Sequence, residues 1–123
     1  MEILISIKSK YAKSIYRGRK KYELRKVTPK IPEGTRCYIY EPLPRGMVTG
    51  HFTYVGVIVM EKFKFWHFYH DKLGVSYEEY LAYYKGHDKV HAWMIICPLR
   101  FFSPYTLKEI GQYAPQSYTI ISK

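Results

Sequence analysis

The chain has 123 residues, of which 47% are hydrophobic and 24% are charged, proportions typical of a soluble globular protein. This length is enough to bury a core without help from metals or disulfides, and we expect one domain over residues 1–123. Apolar runs fall well short of the ~20 residues that span a bilayer, residues 1–7 are too short for a signal peptide, and two cysteines make no disulfide framework. These features exclude a membrane-spanning protein and a disulfide scaffold, and they predict a cytoplasmic location.

The positive charge is concentrated at the start of the chain. The net charge is +10, from twenty Lys and Arg against ten Asp and Glu. Ten of the twenty bases lie in residues 1–30 against only Glu2 and Glu23, which gives this quarter +8 and residues 31–123 only +2. A charge imbalance this local is typical of a surface for polyanions. We therefore expect a nucleic acid, RNA or DNA, as the partner.

Hydrophobic spacing predicts a short helix early in the chain. Ile7, Tyr11 and Ile15 recur every four residues over 8–17, and Gly18 follows as a C-cap. Ser76 opens a later helix, because Ser is a good N-cap and acids follow it in the first turn. The other predicted elements are strands over 2–7, 20–26, 35–40, 47–60, 90–97 and 118–121, a helix over 63–71, a turn at 98 into a further short strand, and a helical turn over 106–110.

This order of elements predicts an α+β fold. Five to six strands with two to three short helices suggest a small β-barrel with the helices packed on it. Cys37 and Cys97 lie within or beside apolar stretches and are interpreted as two buried thiols. Histidine pairs such as His67-x-x-His70 have ligand spacing, but the chain offers them no C-x-x-C partner. We predict neither a metal nor a cofactor.

One motif stands at the predicted junction between the first helix and the second strand. Gly18-x-Lys20-x-x-Glu23-x-Arg25 resembles the G-x-K-x-x-E-x-R signature of the ASCH domain, a member of the PUA-like superfamily. Other segments, in the family's order, resemble its short archaeal and phage-type members, so the similarity spans almost the whole chain: Ile5-Ser6-Ile7-Lys8, Tyr38-Ile39-Tyr40, Leu73-Gly74-Val75-Ser76 and Pro115-Gln116-Ser117-Tyr118.

The resemblance implies a PUA-like barrel with a cleft beside the first helix, and binding of RNA or nucleotides. Some small bacterial members are amidohydrolases that deacetylate N4-acetylcytidine. In those members a Lys at the position of Lys20 works with a Thr where this chain has Glu23, and with a Glu where this chain has Leu73. The lysine is therefore present, the hydroxyl is replaced by a carboxylate, and the third group is replaced by an apolar residue.

The chemistry of the motif side chains suggests their roles. Glu23 can accept a hydrogen bond from an exocyclic amine, a ribose hydroxyl or a ring N–H, while Arg25 is a planar fork suited to phosphate or a base edge. Lys8 and Lys20 are interpreted as mobile point charges for phosphate. Alternatively, Glu23 and Arg25 form a structural ion pair that fixes the motif. The full predicted ligand-binding set is Lys8, Lys10, Lys13, Arg17, Lys20, Glu23, Arg25, Tyr40, Gln116 and Ser117.

Within this set, Lys10, Lys13 and Arg17 are predicted to follow a nucleic-acid backbone, although a merely solvated helix face has the same pattern. Tyr40 is interpreted as a stacking platform or as a core residue. Gln116 and Ser117 either contact a base or cap the last strand.

Three functions follow from these observations. The leading hypothesis is an RNA-binding and possibly regulatory module that holds one nucleotide over Lys20, Glu23 and Arg25. The second is a hydrolase acting on a modified nucleoside such as N4-acetylcytidine, in which Lys20 and Glu23 are the catalytic residues. The third is a protein-interaction module for an acidic partner. We expect binding rather than catalysis, with amidohydrolase or nuclease activity as the alternative, and the sequence predicts no particular oligomeric state.

Overall fold

One mixed sheet of six strands forms the framework of the protein, and a computed structural model describes residues 1–122. Its strands are β1 (Glu2–Ser6), β2 (Tyr22–Arg25), β3 (Thr35–Glu41), β4 (Met47–Glu61), β5 (Lys89–Tyr105) and β6 (Tyr118–Ser122). Its helices are α1 (Ser9–Tyr16), α2 (Lys62–Tyr69), which continues into a 3₁₀ turn (His70–Lys72), and α3 (Tyr77–Tyr83). The strand order is β2-β5-β4-β3-β1-β6, with β1 and β3 parallel and the other neighbours antiparallel.

The α+β class, with six strands and three helices, confirms the fold class predicted from the sequence, but the sheet does not close into a barrel. Closure would need a hydrogen-bonded ladder between the two edge strands. Within residues 1–122, β2 pairs with β5 alone and β6 with β1 alone. Side chains meet across the gap instead: Arg25 of β2 donates to Ser117 Oγ, just before β6, at 3.0 Å, and the rings of Trp93 on β5 and Tyr118 on β6 pack edge to face, with centroids 5.6 Å apart.

Strand β5 differs from its prediction. The turn expected at Pro98 does not end the strand, which runs on to Tyr105 while its register against β4 shifts in three places. Cys97 has a φ of 51°, in the left-handed region, and the strand bends around this residue. Cys97 is exposed and Cys37 is buried, so the prediction of two buried thiols is right only for Cys37. Residues 107–111 form hydrogen-bonded turns, close to the short helical turn predicted over 106–110.

Two apolar clusters fix the helices against the sheet. Helix α1 buries Ala12 and Ile15 in the larger cluster, which also contains residues of β1, β3, β4 and β5. Helix α3 and the residue after it bury Tyr80 and Tyr84, four positions apart and therefore on one helix face, in a second cluster with Phe65 of α2. Because each helix is held by fully buried side chains, the space between α1 and α3 has fixed walls.

The ends of α1 and α3 follow the local signals in the sequence. Gly18 has a φ of +74° directly after the C-cap Arg17, a conformation that favours glycine. Ser76 caps α3 in a reciprocal capping box: its side chain accepts from the Glu79 N–H at 3.1 Å, and the Glu79 carboxylate accepts from the Ser76 N–H at 3.3 Å. None of the helices within residues 1–122 is long and apolar enough to cross a membrane.

Candidate functional site

A cavity of about 220 Å³ lies between α1, β2 and α3, directly over the G-x-K-x-x-E-x-R motif. It brings together three of the motif side chains with residues from the end of β1 and from both helices. Of the predicted ligand-binding set, four residues line it: Lys8, Lys20, Glu23 and Arg25. Its other walls come from Ser6, Ile7, Tyr11, Leu24, Val75, Glu79, Tyr80 and Tyr83.

Lys20 is a fixed and buried cation. It is only 2% exposed, and its Nζ donates a 2.9 Å hydrogen bond to the carbonyl oxygen of Leu73. Burial lowers the pKa of the Lys20 ammonium, and the nearby Glu23 carboxylate opposes that effect. The prediction of a mobile point charge at Lys20 is therefore wrong: the segment between α1 and β2 directs this side chain inward, whereas the side chains of its two neighbours are exposed.

Leu73 occupies the position at which the family resemblance implied a glutamate. Its side chain is fully buried in the cluster around Phe65 and Tyr80, so only its main-chain carbonyl reaches Lys20. The carbonyl can orient the lysine, but unlike a carboxylate it cannot take up its proton. The catalytic arrangement of the amidohydrolase members is therefore not reproduced at this position.

Glu23 and Arg25 form an ion pair at the cavity floor. Arg25 Nε lies 2.8 Å from Glu23 Oε2, and the exposed fractions of the two side chains are 16% and 9%. Both point to the same face of β2 because they are two residues apart on a strand. The geometry agrees with the alternative interpretation of a structural ion pair, and both side chains of the pair also line the cavity.

Arg25 connects three distant segments of the chain. Besides Glu23, it donates to the Ser6 carbonyl oxygen at 2.9 Å and to Ser117 Oγ at 3.0 Å. Three of the five guanidinium N–H groups are engaged in this way. Arg25 therefore holds Glu23 and the edges of the cavity in place, and has less capacity for phosphate than the sequence suggested.

Glu79 is a site residue that the sequence analysis missed. Its Oε2 accepts from Lys10 Nζ and from the Tyr11 hydroxyl, both at 2.7 Å, so it joins α3 to α1 across the cavity rim. The hydrogen bond from Lys10, followed by that from Tyr11, lowers the pKa of Glu79 to about 2. Lys10 is therefore paired with a carboxylate of the same chain while its side chain stays 62% exposed, and its contact with a nucleic-acid backbone stays a prediction. The capping-box spacing Ser76-x-x-Glu79 was the sequence feature that could have indicated a structural role for Glu79.

The partly exposed aromatic ring at the cavity belongs to Tyr83, whereas Tyr40 is buried. Tyr40 is only 5% exposed and packs with Leu4 and Val48, so its alternative interpretation as a core residue is the correct one. Tyr83 lines the cavity, is 40% exposed, and carries Lys26 Nζ 4.4 Å from its ring centroid. Helical spacing did not indicate Tyr83 as a site residue, because it predicted an apolar helix face at the neighbouring Tyr80 and Tyr84, which are buried.

The remaining predicted residues lie around the site. Lys8 is exposed and lines the cavity. Lys13 and Arg17 are exposed on α1 beyond the cavity walls. Gln116 is exposed, whereas Ser117 accepts a hydrogen bond from Arg25 through its hydroxyl and one from the Ser6 N–H through its carbonyl.

The cavity thus combines a buried carboxylate, a buried ammonium of lowered pKa, an exposed lysine and a partly exposed aromatic ring. The carboxylate accepts hydrogen bonds from N–H or O–H groups, the lysine attracts an anion, and the ring offers a flat apolar face. The carboxylate, the exposed lysine and the ring can together contact a ligand that has hydrogen-bond donors, an anionic group and a flat ring.

Comparison with known proteins agrees with this arrangement. The chain matches the ASCH domain family over residues 5–102. It is 32% identical over 127 residues to an ASCH domain-containing ribonuclease of Zymomonas mobilis, covering 99% of this chain and 85% of that protein. The crystal structure of ASCH from Zymomonas mobilis superposes with a TM-score of 0.90 at 28% identity, over 99% of this chain and 88% of that one. This chain belongs to the ASCH domain family.

Proposed function

We propose that this protein binds RNA and takes one nucleotide of a single strand into the cavity between α1, β2 and α3. The observation that carries the proposal is the Glu23 carboxylate, which is nine-tenths buried at the floor of a cavity and held by Arg25 within the most basic quarter of the chain. Its relative in Zymomonas mobilis, which matches over nearly the whole length of this chain, is named a ribonuclease, and this supports an RNA ligand.

Each wall of the cavity has a role in this proposal. Glu23 accepts hydrogen bonds from donor groups on a base edge or from a ribose 2′-hydroxyl, and it repels bare phosphate. Lys8, exposed at the opening, binds the phosphate. Tyr83 stacks on the base, an interaction worth about 1–3 kcal/mol per base and tolerant of sequence.

A single strand fits the site better than a duplex does. The carboxylate lies at the bottom of a cavity, and A-form helices present their base edges in grooves that a concave surface does not reach. A nucleotide in a loop or an unpaired end can leave the stack at low cost and enter. The proposal therefore predicts preference for unpaired RNA over the same sequence in a hairpin stem.

Fluorescence anisotropy with a labelled single-stranded oligoribonucleotide tests the proposal. The affinity should fall as salt rises, with log K against log salt having a slope of about −0.7 for each phosphate contact. Glu23→Gln should alter the ranking of oligonucleotides that differ in one base, and Lys108→Gln, an exposed lysine outside the cavity, should leave that ranking unchanged. Affinity that stays flat with salt would refute the proposal, and displacement of RNA by polyglutamate at equal charge would indicate an acidic protein as the partner.

Cleavage of the bound strand is the second candidate function. It is favoured by Lys20, a buried amine of lowered pKa that lines the same cavity as Glu23, because an amine of this kind can exchange a proton near neutral pH more readily than an exposed lysine. In such a reaction a ribose 2′-hydroxyl attacks the adjacent phosphorus and its proton passes to a base. The P–O5′ bond then breaks, the 5′-oxygen takes up a proton, and a 2′,3′-cyclic phosphate remains.

Cleavage is tested with end-labelled RNA on a denaturing gel. The products should carry a cyclic phosphate on one fragment and a 5′-hydroxyl on the other, and a substrate with a single 2′-deoxyribose at the scissile position should stay intact. Lys20→Met should abolish cleavage while anisotropy still detects binding. RNA that stays intact under conditions in which it is bound would refute cleavage, and binding would remain as the only proposed function.

A further inference from the structure

A second depression, distinct from the cavity, lies behind the Lys20 side chain. It is an open groove of about 490 Å³. One wall consists of Gly18, Arg19 and Lys21, and the opposite wall is the 3₁₀ turn His70–Lys72 with the segment that leads to α3. Val75 lines both the groove and the cavity, so the two depressions are neighbours on either side of this residue.

Consecutive residues of this segment face different depressions. Lys20 is buried and lines the cavity, whereas Arg19 and Lys21 are exposed and line the groove. The two variable positions that flank the motif lysine are therefore cations that face away from the cavity.

The groove carries an excess of uncompensated positive charge. Arg19, Lys21 and Lys72 line it together with a single acid, Asp71. In the part of the chain that the structure describes, no ion pair involves any of the three cations. By contrast, Lys10 at the cavity rim is paired with Glu79. Cations that face each other across a groove without carboxylate partners repel one another, and an anion between them removes that repulsion.

The walls of the groove are held at a fixed separation. The Lys21 N–H donates to the Lys72 carbonyl oxygen at 2.8 Å. Gly74 has a φ of +65°, and a Cβ there would lie 3.2 Å from the Cβ atoms of Lys20 and Ser14, which shows how closely the two walls approach. The cations therefore extend from a rigid support, and little backbone ordering is needed when they bind.

We propose that this groove binds the phosphodiester next to the nucleotide held in the cavity, so that the RNA strand passes from the cavity around Val75 and between Arg19 and Lys72. This inference rests on the proposed RNA-binding function. It adds a second subsite, which recognises backbone phosphate rather than a base. The strand is thereby held at two consecutive positions, and one of them is independent of sequence.

The test compares two variants that lose the same charge and the same residue types. Arg19→Gln with Lys72→Gln removes one cation from each wall of the groove. Arg45→Gln with Lys108→Gln removes two exposed cations that line neither depression. Each protein is titrated with a labelled single-stranded octaribonucleotide over a salt series, and with a single ribonucleoside, which has no phosphate, by NMR chemical shift.

The expected loss follows from counterion release. A slope of about 0.7 per phosphate contact corresponds to about fivefold in affinity at 0.1 M salt, and the groove holds one phosphodiester. The groove variant should therefore lose about fivefold for the octamer, with a slope about 0.7 shallower, and should bind the nucleoside as the wild type does. The control variant should stay within about twofold of the wild type for both ligands.

Four results would overturn the assignment. Equal losses in the groove and control variants would mean that only overall charge matters. Loss of nucleoside binding in the groove variant would mean that these residues merely support the cavity. If the groove variant binds the octamer as tightly as the wild type does, the groove assignment is refuted and the proposed function stands. If the wild type binds no octamer, the proposed function and the groove assignment are refuted together.

Discussion

Replacing Arg25 by Met is expected to destabilise the protein far more than replacing a typical surface arginine. The substitution keeps an apolar stem of similar length but removes the hydrogen bonds to Glu23, Ser6 and Ser117. It leaves the Glu23 carboxylate, with its side chain 9% exposed, without its ion-pair partner. Removing one partner of a buried pair costs about 3–5 kcal/mol, and we expect the lower value because the Lys20 ammonium also interacts with Glu23.

The expected change in melting temperature follows from the size of the chain. The entropy of unfolding is about 2.1 cal/mol/K per residue, or about 0.26 kcal/mol/K for 123 residues. A loss of about 3 kcal/mol therefore lowers Tm by roughly 12 °C. Arg25→Lys keeps the charge but not the planar fork, and should recover only part of that loss.

A double-mutant cycle isolates the pair itself. Glu23→Gln removes the charge with little change of shape, and in the Arg25→Met background it should cost much less than in the wild type, because no buried carboxylate then remains unpaired. Urea unfolding of the four proteins should give a coupling energy of about 1–2 kcal/mol. Coupling below about 0.5 kcal/mol, or a fall in Tm of only 2–3 °C for Arg25→Met, would refute the argument that this pair holds the cavity floor.

Three further predictions concern neighbouring residues. Tyr83→Ala should weaken RNA binding about tenfold in anisotropy while Tyr83→Phe retains it, because stacking needs the ring and not the hydroxyl. The folded-state pKa of Glu79 lies below its ordinary value of 4.5, so the stability that its carboxylate contributes is present above pH 4.5 and is lost as the pH falls towards about 2. In urea unfolding, Glu79→Gln should therefore lack this acid-dependent part of the free energy of unfolding. The pKa of Lys20 is lowered, so the destabilising effect of its buried charge is fully present below the folded-state pKa and is relieved as the pH rises through that value towards 10.5. The wild type should therefore gain stability relative to Lys20→Met in alkaline unfolding experiments.

The sequence predicted the elements that depend on local signals. Gly18 marks the end of α1 because only a residue tolerant of positive φ fits there, and Ser76 marks the start of α3 because its side chain satisfies a free N–H. The bent strand β5 was divided in two, because Pro98 is normally a breaker and the neighbouring Cys97 adopts a left-handed conformation that side chains other than glycine seldom adopt. Barrel closure depends on pairing between distant edges, which no local pattern encodes.

The motif located the cavity but did not define which side chains are free within it. Spacing placed Glu23 and Arg25 on one face of β2, as observed, yet burial and partners come from elsewhere in the chain. Lys20 is fixed by a carbonyl 53 residues away and Lys10 by a carboxylate 69 residues away. Tyr40 and Tyr83 both follow apolar residues, and only the packing of β3 and α3 decides which ring reaches the cavity.

Arg25, which organises the site, also bridges the gap between the two edges of the sheet. Arg25 ends β2, Ser6 ends β1, and Ser117 precedes β6, so the guanidinium connects the β2 edge of the sheet to the β1-β6 edge without a ladder between them. A closed barrel would satisfy these edges with main-chain hydrogen bonds and would leave no space beside β2. Here a side chain performs that task, and the space that remains is the cavity. The acid beside it is held by this bridge, so recognition by Glu23 depends on the contact between the two edges of the sheet.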